Sequence, residues 1–320
     1  MFVLLARILA TLLHIFLVFL LAPLLLGLVT KCRARLLGRR GPRLAQPYHD
    51  LRRLLHKTTL LPETATEFYA VWPLVAFSAM AAASVLTPGF CTGMLSANAS
   101  DFITLIGLLA LARAATLLAG LETGFGFGGA AAARTVLFSL FAEATLLVVL
   151  LSFVLIAHAG TLDGISQALR HGHVGISVSL GFALAAILAV ALTETGRIPT
   201  DNPGGQLELA MVHEALLLEY SGRYLLLFEY AAMLRLMVWM CLIGTVFFPF
   251  GMARAGDLLT WPGGLLLWFA KLGVLAAILG LFEISTAKMR IFRVPEFLAV
   301  AMLLGILSGV FLFVAAQVGG

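Results

Sequence analysis

The chain has 320 residues, of which 61% are hydrophobic and only 12% are charged, and its formal net charge is +5. Soluble domains carry about 25% charged residues, so these proportions exclude a soluble enzyme, a secreted disulfide scaffold and a disordered protein. We therefore predict an all-α, polytopic membrane protein that forms a single integral membrane domain over residues 1–320.

Eight apolar runs are long enough to cross a bilayer as helices, which need about 20 residues each. They lack the period-two alternation of barrel strands, and irregular backbone cannot face lipid. The first run is longer than a signal-peptide core, and basic residues rather than a cleavage site follow it, so we predict that it is retained. The predicted spans are 3–29, 69–87, 102–121, 135–158, 175–192, 224–250, 264–283 and 298–317.

Lys and Arg residues predict the orientation. Fifteen of the 21 lie in four loops, at about 31–68, 122–134, 193–223 and 284–297, whereas only Arg170 and Arg254 lie in the opposite loops. Basic residues mark cytoplasmic loops. Eight spans then place both termini on the periplasmic side of a bacterial inner membrane.

The first of these loops carries a basic segment at 38–57. The spacing of Tyr48, Leu51 and Leu55 predicts a docked amphipathic helix, with one face toward lipid and the other toward a soluble partner. No nucleic-acid-binding fold surrounds the segment, so nucleic acid is not predicted as a partner. The glycine-rich run at 124–129 is predicted to be a turn.

The loop at 193–223 concentrates polar chemistry. Pro199 and Pro203 break the preceding helix, and residues 207–218 are predicted to be helical again. One interpretation is an ordinary solvated loop. The other is a folded funnel whose carboxylates relay protons, because partial burial raises a carboxyl pKa toward neutral pH. The carboxylates are Glu194, Asp201, Glu208, Glu214 and Glu219, with His213 beside Glu214.

Ionisable residues inside the spans are functional candidates, since each is costly in hydrocarbon. Glu143, Glu229 and Glu283 join the loop carboxylates as proton-relay candidates. The alternative, snorkelling or static pairing between helices, is kept open and applies most to the cations Arg7, Arg113, Arg235 and Lys271.

Cys32, Cys91 and Cys241 are widely separated and form no CxxC pair. No disulfide framework, zinc site or iron–sulfur cluster is therefore predicted within this chain, and no catalytic, cofactor-binding or metal-binding residue is assigned.

Several segments carry a family resemblance. ETGRIPTDNP at 194–203 and HEALLLEYSGR at 213–223 resemble the signature loop of the complex I subunit 1 family. GPRLAQPYHDLRRLLHK at 41–57, AARTVLFSLFAE at 132–143 and AKMRIFRVPEFL at 287–298 resemble other segments of the same family, in the same order. The TGRIPxDNP and HEA forms are closest to the membrane subunit of group 4 energy-converting nickel–iron hydrogenases, of the formate hydrogenlyase and hydrogenase-4 type. Thr200 departs from the Phe common to both branches.

The resemblance implies a non-catalytic subunit of an oxidoreductase complex that anchors a soluble module and couples it to ion movement. The implied partners are hydrogenase-like large and small subunits, a ferredoxin-like iron–sulfur subunit and antiporter-like membrane subunits. Iron–sulfur clusters and, in the hydrogenase branch, nickel–iron would lie in those partners. The loop cations expected to take part in docking or charge pairing are Arg134, Arg197, Arg223, Lys288, Arg290 and Arg293.

Two alternatives stay open at the level of sequence. One is a quinone-chamber subunit of a complex I-type NADH dehydrogenase. The other is a passive membrane anchor without ion translocation.

Overall fold

The computed structural model describes residues 2–170, 178–197, 213–286 and 293–318. Within these ranges the chain is a bundle of helices with a single pair of two-residue strands. The elements in chain order are α1 (Phe2–Leu36), α2 (Gln46–His56), α3 (Val71–Leu86), β1 (Cys91–Thr92), α4 (Phe102–Glu122), α5 (Gly126–Ala157), α6 (Leu162–Arg170), α7 (Val178–Glu194), α8 (Gly222–Val246), β2 (Ala253–Arg254), α9 (Trp261–Ser285) and α10 (Val294–Val318), with single 3-10 turns at Glu67–Ala70, Leu95–Asn98, Ala215–Leu217 and Leu258–Thr260.

The predicted all-α membrane fold is confirmed. Among the described residues, seven helices are long and apolar enough to cross a membrane. The remaining predicted span corresponds to α7, an apolar helix of 17 residues. At 1.5 Å per residue α7 is about 25 Å long, close to the thickness of a bilayer's hydrocarbon core.

Some boundaries differ from the predictions for clear reasons. The first helix continues to Leu36, because the basic residues that follow the apolar run are good helix formers. Helix α5 already begins at Gly126, so the glycine-rich turn is shorter than predicted. Of the helix predicted over 207–218, residues 207–212 lie outside the described residues, and the described remainder forms only the 3-10 turn at Ala215–Leu217.

Small residues allow the helices to approach closely. Gly305 and Gly309 of α10 are four residues apart, and a side-chain carbon at these positions would lie 2.9 Å from Val149 and 2.7 Å from Ser152 of α5. This GxxxG spacing is typical of close membrane-helix packing. Beside these glycines, the Ser308 hydroxyl of α10 donates to the Ser179 carbonyl of α7 at 2.8 Å.

The predicted amphipathic helix is present as α2. It packs against α8, buries Leu54 and is tied to α1 by a hydrogen bond from the Tyr48 hydroxyl to the Leu20 carbonyl. The following segment is fixed to the start of α8, because the Leu60 amide donates to the Ser221 hydroxyl at 2.8 Å.

The loops gather at two ends of the bundle. At one, called the capped end, β1 and β2 pair in parallel, Asp101 bridges to Thr161, and α6 lies alongside. At the other, called the site end, the described parts of the predicted cytoplasmic loops contact one another, for example through Thr64 and Thr123. That the site end faces the cytoplasm, and the termini the periplasm, stays a prediction.

Candidate functional site

Helix α7 ends in a geometry that sets up the site. The Gly196 amide donates to the Thr193 carbonyl at 3.1 Å, and the Arg197 amide donates to the Leu192 carbonyl at 2.8 Å. Gly196 has a φ of +64°, so the chain turns away in a Schellman motif. Glu194 is therefore the last residue of a buried helix, and its predicted place in a loop is corrected.

Arg113 is the centre of a buried group of charges. It lies on α4 with only 8% of its side chain exposed, and its Nη2 is 2.9 Å from the Oε2 of Glu194 on α7. The Nε of Arg113 donates to the same oxygen at 3.2 Å. The remaining amino group, Nη1, pairs with Glu143 of α5. One guanidinium thus connects carboxylates from two other helices.

Arg235 and His213 complete this group, which we call the inner charge network. Arg235 of α8 donates to the main-chain oxygen of Glu194 at 3.4 Å. The His213 ring lies next to Gly196, just beyond the end of α7. Burial, followed by the charge of Arg235, lowers the pKa of His213 below the ordinary value of 6.5. This shift favours the neutral form of the His213 ring at neutral pH.

A cavity of about 330 Å³ opens beside the network at the site end. Its polar lining includes three carboxylates and three basic side chains, namely Glu194, Glu214, Glu229, Arg197, His213 and Arg235. A second cavity of about 20 Å³ lies deeper and is lined by Arg113, Glu194, His213 and Arg235. Glu194, His213 and Arg235 line both cavities, so they connect the cavity at the site end with Arg113.

A separate ionic group lies at the rim, and we call it the rim triad. Glu283, at the end of α9, pairs with Arg197 at 3.0 Å and with Arg33 at 3.5 Å. The side chain of Glu283 is 6% exposed, whereas that of Arg33 is 55% exposed. Here one carboxylate is shared by two cations, the reverse of the arrangement at Arg113.

The other predicted residues fall in different places. Glu214 and Glu229 line the larger cavity. Glu219 is partly buried away from it, and its carbonyl accepts the Tyr69 hydroxyl at 2.9 Å. Of the predicted docking cations, Arg223 and Arg293 are exposed and Arg134 lies within α5. The remaining predicted residues, Asp201, Glu208, Lys288 and Arg290, lie outside the described residues.

Sequence reasoning did not place Arg113 and Arg235 in the site. For both residues the sequence leaves open a functional role and snorkelling or static pairing. In the structure Arg113 is buried and pairs with two relay candidates. The available signal was their position inside apolar spans, where an arginine needs a polar partner.

No group of three or more His, Cys, Asp or Glu residues able to hold a metal ion occurs in the described ranges. The three cysteines are free, and two of them are buried.

Comparisons with known proteins agree with this architecture. A family model described as NADH dehydrogenase matches residues 8–315. The chain is 31% identical over 291 residues to hydrogenase-4 component C of Escherichia coli K12, covering 91% of each chain. It is 30% identical to formate hydrogenlyase subunit 4 of the same organism, covering 87% of this chain and 90% of the relative.

A similar fold occurs among solved structures. A chain of the membrane-bound sulfane sulfur reductase, an archaeal respiratory membrane complex, matches with a TM-score of 0.79 at 18% identity. The match covers 95% of this chain and 98% of that chain. The likeness extends across the whole helix bundle.

Proposed function

This chain belongs to the NADH dehydrogenase family, in the branch of complex I subunit 1, and we propose a role for it on that basis. It anchors a soluble redox module to a membrane, and it couples the turnover of that module to ion movement. The module would contain hydrogenase-like large and small subunits and a ferredoxin-like subunit, which would hold iron–sulfur clusters and, in the hydrogenase branch, nickel–iron. The coupled ions would pass through antiporter-like membrane subunits in a bacterial inner membrane. The two relatives are named as components of a hydrogenase and a formate hydrogenlyase, which supports the hydrogenase branch.

The single observation that carries the coupling role is the bridge that Arg113 forms between Glu194 and Glu143. Glu194 lines the cavity at the site end, whereas Glu143 lies midway along α5. Protonation of either carboxylate releases the guanidinium to the other. A change at the cavity is therefore transmitted to Glu143 as a change in ion pairing, which is a coupling between two defined states.

Protons would enter the inner charge network through the ionisable side chains that line the larger cavity. Glu214 and Glu229 line the open cavity, and His213 and Glu194 line both this cavity and the smaller one. A neutral imidazole accepts a proton on one nitrogen and releases one from the other, so His213 suits the transfer step. Each charge moved against the membrane potential costs about 2.3 kcal/mol per 100 mV, which the redox module must supply.

The exit side of the network points to a neighbouring membrane subunit. The side chain of Glu143 is 41% exposed on the surface of α5. A carboxylate facing lipid at mid-span is unfavourable. We therefore assign this face of α5 to a contact with an antiporter-like subunit that offers a polar path.

The soluble module would dock at the site end, on α2 and residues 57–68. Leu60, Leu61 and Phe68 expose 71%, 63% and 60% of their surface there, and Arg52 and Arg53 lie on the exposed face of α2. The patch is held in place by the pairing of Thr66 with Glu122. Exposed apolar patches of this kind mark interaction surfaces, and the hydrogen bonds that hold this one suit a protein partner.

The test is ion translocation by the intact complex in liposomes, measured with a pH-sensitive dye during redox turnover. Glu143→Gln and Glu194→Gln remove the carboxylate charges with little change in shape. We expect both variants to assemble and to turn over, with translocation reduced on the order of 10²-fold, the usual effect of losing a positioned proton-transfer group.

The matched control is Glu296→Gln, the same chemical change at an exposed residue in the first turn of α10. It should leave translocation unchanged. Normal translocation by both network variants would show that the chain is a passive anchor and that the relay is wrong.

One observation favours a second function, a quinone chamber. An apolar crevice of about 130 Å³ lies between α7, α8 and α9, and it shares Thr195 and Leu236 with the larger cavity. The Trp239 Nε1 in this crevice is buried and finds no hydrogen-bond partner among the described residues. Inhibition of the purified complex by a quinone-site inhibitor, relieved by Trp239→Phe, would support this alternative.

A further inference from the structure

A further cavity, separate from the two cavities at the inner charge network, lies at the capped end. It has a volume of about 360 Å³, and Arg7, Arg170 and Arg254 all line it. These arginines come from α1, from the last turn of α6 and from β2, so the fold brings them together from three separate elements.

The three guanidinium groups have no ion-pair partner within the described residues. Among the described residues, the Arg170 side chain donates to the Met252 carbonyl alone, at 3.3 Å. The one carboxylate in the lining, Asp257, accepts the Leu259 amide at 3.2 Å as the cap of a 3-10 turn. The pocket therefore carries an excess of positive charge.

This excess is unusual for its location. Basic residues concentrate in the loops predicted to be cytoplasmic, and the opposite loops contain only Arg170 and Arg254. Both line this one pocket, together with Arg7 from α1. The C-terminus of α6 accounts for Arg170, because cations are favourable there, but not for the other two.

The surroundings of the pocket indicate the kind of anion. Leu258 and Leu259, next to Asp257, are 42% and 91% exposed, and Val3 and Leu4, one turn before Arg7, are 51% and 56% exposed. All four residues begin apolar helices long enough to cross a membrane, so the pocket opens beside lipid and suits an anion that carries its own acyl chains.

We propose that the pocket binds the phosphodiester headgroup of an anionic phospholipid from the leaflet at the capped end. Arginine donates two parallel hydrogen bonds to phosphate oxygens, and such charge-assisted bonds are the strong ones. The backbone of Arg254 is held by the β1–β2 pairing, so its side chain starts from a fixed position.

The test compares the intact complex with a variant carrying Arg7→Gln, Arg170→Gln and Arg254→Gln. The readouts are native mass spectrometry of retained lipid and the titration of thermal stabilisation by phosphatidylglycerol in mixed micelles. We expect the variant to retain fewer anionic lipids and to need at least about tenfold more phosphatidylglycerol, the loss expected from even one charged hydrogen bond.

The matched control makes the same charge change at the site end, with Arg35→Gln, Arg39→Gln and Arg40→Gln at three exposed positions. This control should keep the wild-type titration. Phosphatidylcholine micelles and millimolar inorganic phosphate should not stabilise the wild-type complex.

Four results would overturn the proposal. These are an unchanged titration in the pocket variant, an equal loss in the control, stabilisation by inorganic phosphate alone, and loss of a neighbouring subunit from the variant with an unchanged lipid count. The third result would assign the pocket to a free anion, and the fourth would make it a protein interface.

Discussion

The inner charge network and the rim triad use the same residue types with opposite stoichiometry. At Arg113 one cation pairs with two carboxylates, and at Glu283 one carboxylate pairs with two cations. Arg235 adds a second cation to the network, but its hydrogen bond goes to the main chain of Glu194. A carboxylate that shares its cation with another carboxylate can exchange partners, whereas a carboxylate between two cations is held. We therefore expect the network to transmit change and the rim triad to fix α1, α7 and α9.

The largest effect is expected from removing the shared cation. Arg113→Met leaves two carboxylates without their partner, one of them buried. Breaking a buried ion pair costs about 3–5 kcal/mol, so the subunit should fail to assemble or should unfold at much lower denaturant concentration. Arg113→Lys keeps the charge and should lose less. The measurement is denaturation of the detergent-purified complex, and wild-type stability of Arg113→Met would remove the basis of the comparison.

A smaller effect is expected at the rim. Glu283→Gln loses a buried carboxylate with two guanidinium partners, and hydrogen bonds to charged groups contribute about 1.5–3 kcal/mol. Stability should fall by about that amount, while ion translocation per redox turnover should stay normal. A selective loss of translocation in this variant would place Glu283 in the relay instead of the rim.

The third prediction concerns pH. Burial and Arg235 lower the pKa of His213, so the folded state holds this ring neutral. Above pH 6.5 the ring is neutral in both the folded and the unfolded chain, so it costs no stability. As the pH falls below 6.5, the unfolded chain binds a proton that the folded state resists, and the free energy of unfolding decreases. The wild-type complex should lose stability between about pH 7.5 and pH 5.5.

The variant His213→Gln cannot gain this charge, so its stability should change less over the same range. The two proteins should be compared by thermal unfolding at both pH values. Equal changes in both would assign the acid sensitivity to other groups.

The smallest effect is expected from Arg33→Gln. This side chain is 55% exposed and 3.5 Å from Glu283, and exposed ion pairs contribute about 0–1 kcal/mol. The change in unfolding free energy should also shrink in high salt. An effect as large as that of Glu283→Gln would mean that the rim is dry in the assembled complex.

The sequence predicts the helices well and the site only in part. The length of each apolar run determines whether it crosses the membrane, and this length can be read directly from the sequence. The pairing of Arg113 with Glu143 and Glu194, 30 and 81 residues away, depends on how each helix is rotated about its axis. Periodicity carries little information on rotation here, because the spans are apolar on every side.

Loop positions were the least predictable part of the chain. The sequence predicts that the loop begins at residue 193, but this residue lies inside α7. The helix ends in a Schellman turn at Gly196 rather than at Pro199. The convergence of Arg7, Arg170 and Arg254 also required the three-dimensional structure, because no local pattern connects them.

The strand pair of the capped end has a mechanical consequence. Cys91 and Thr92 follow α3, and Ala253 and Arg254 precede α9. Their pairing joins the α3–α4 hairpin to the α8–α9 hairpin at the capped end. Helices joined in this way cannot slide past each other there. In the proposed complex, a tilt imposed by a docked module would be smallest at this strand pair and largest at the opposite end, where Glu194 and Glu283 lie.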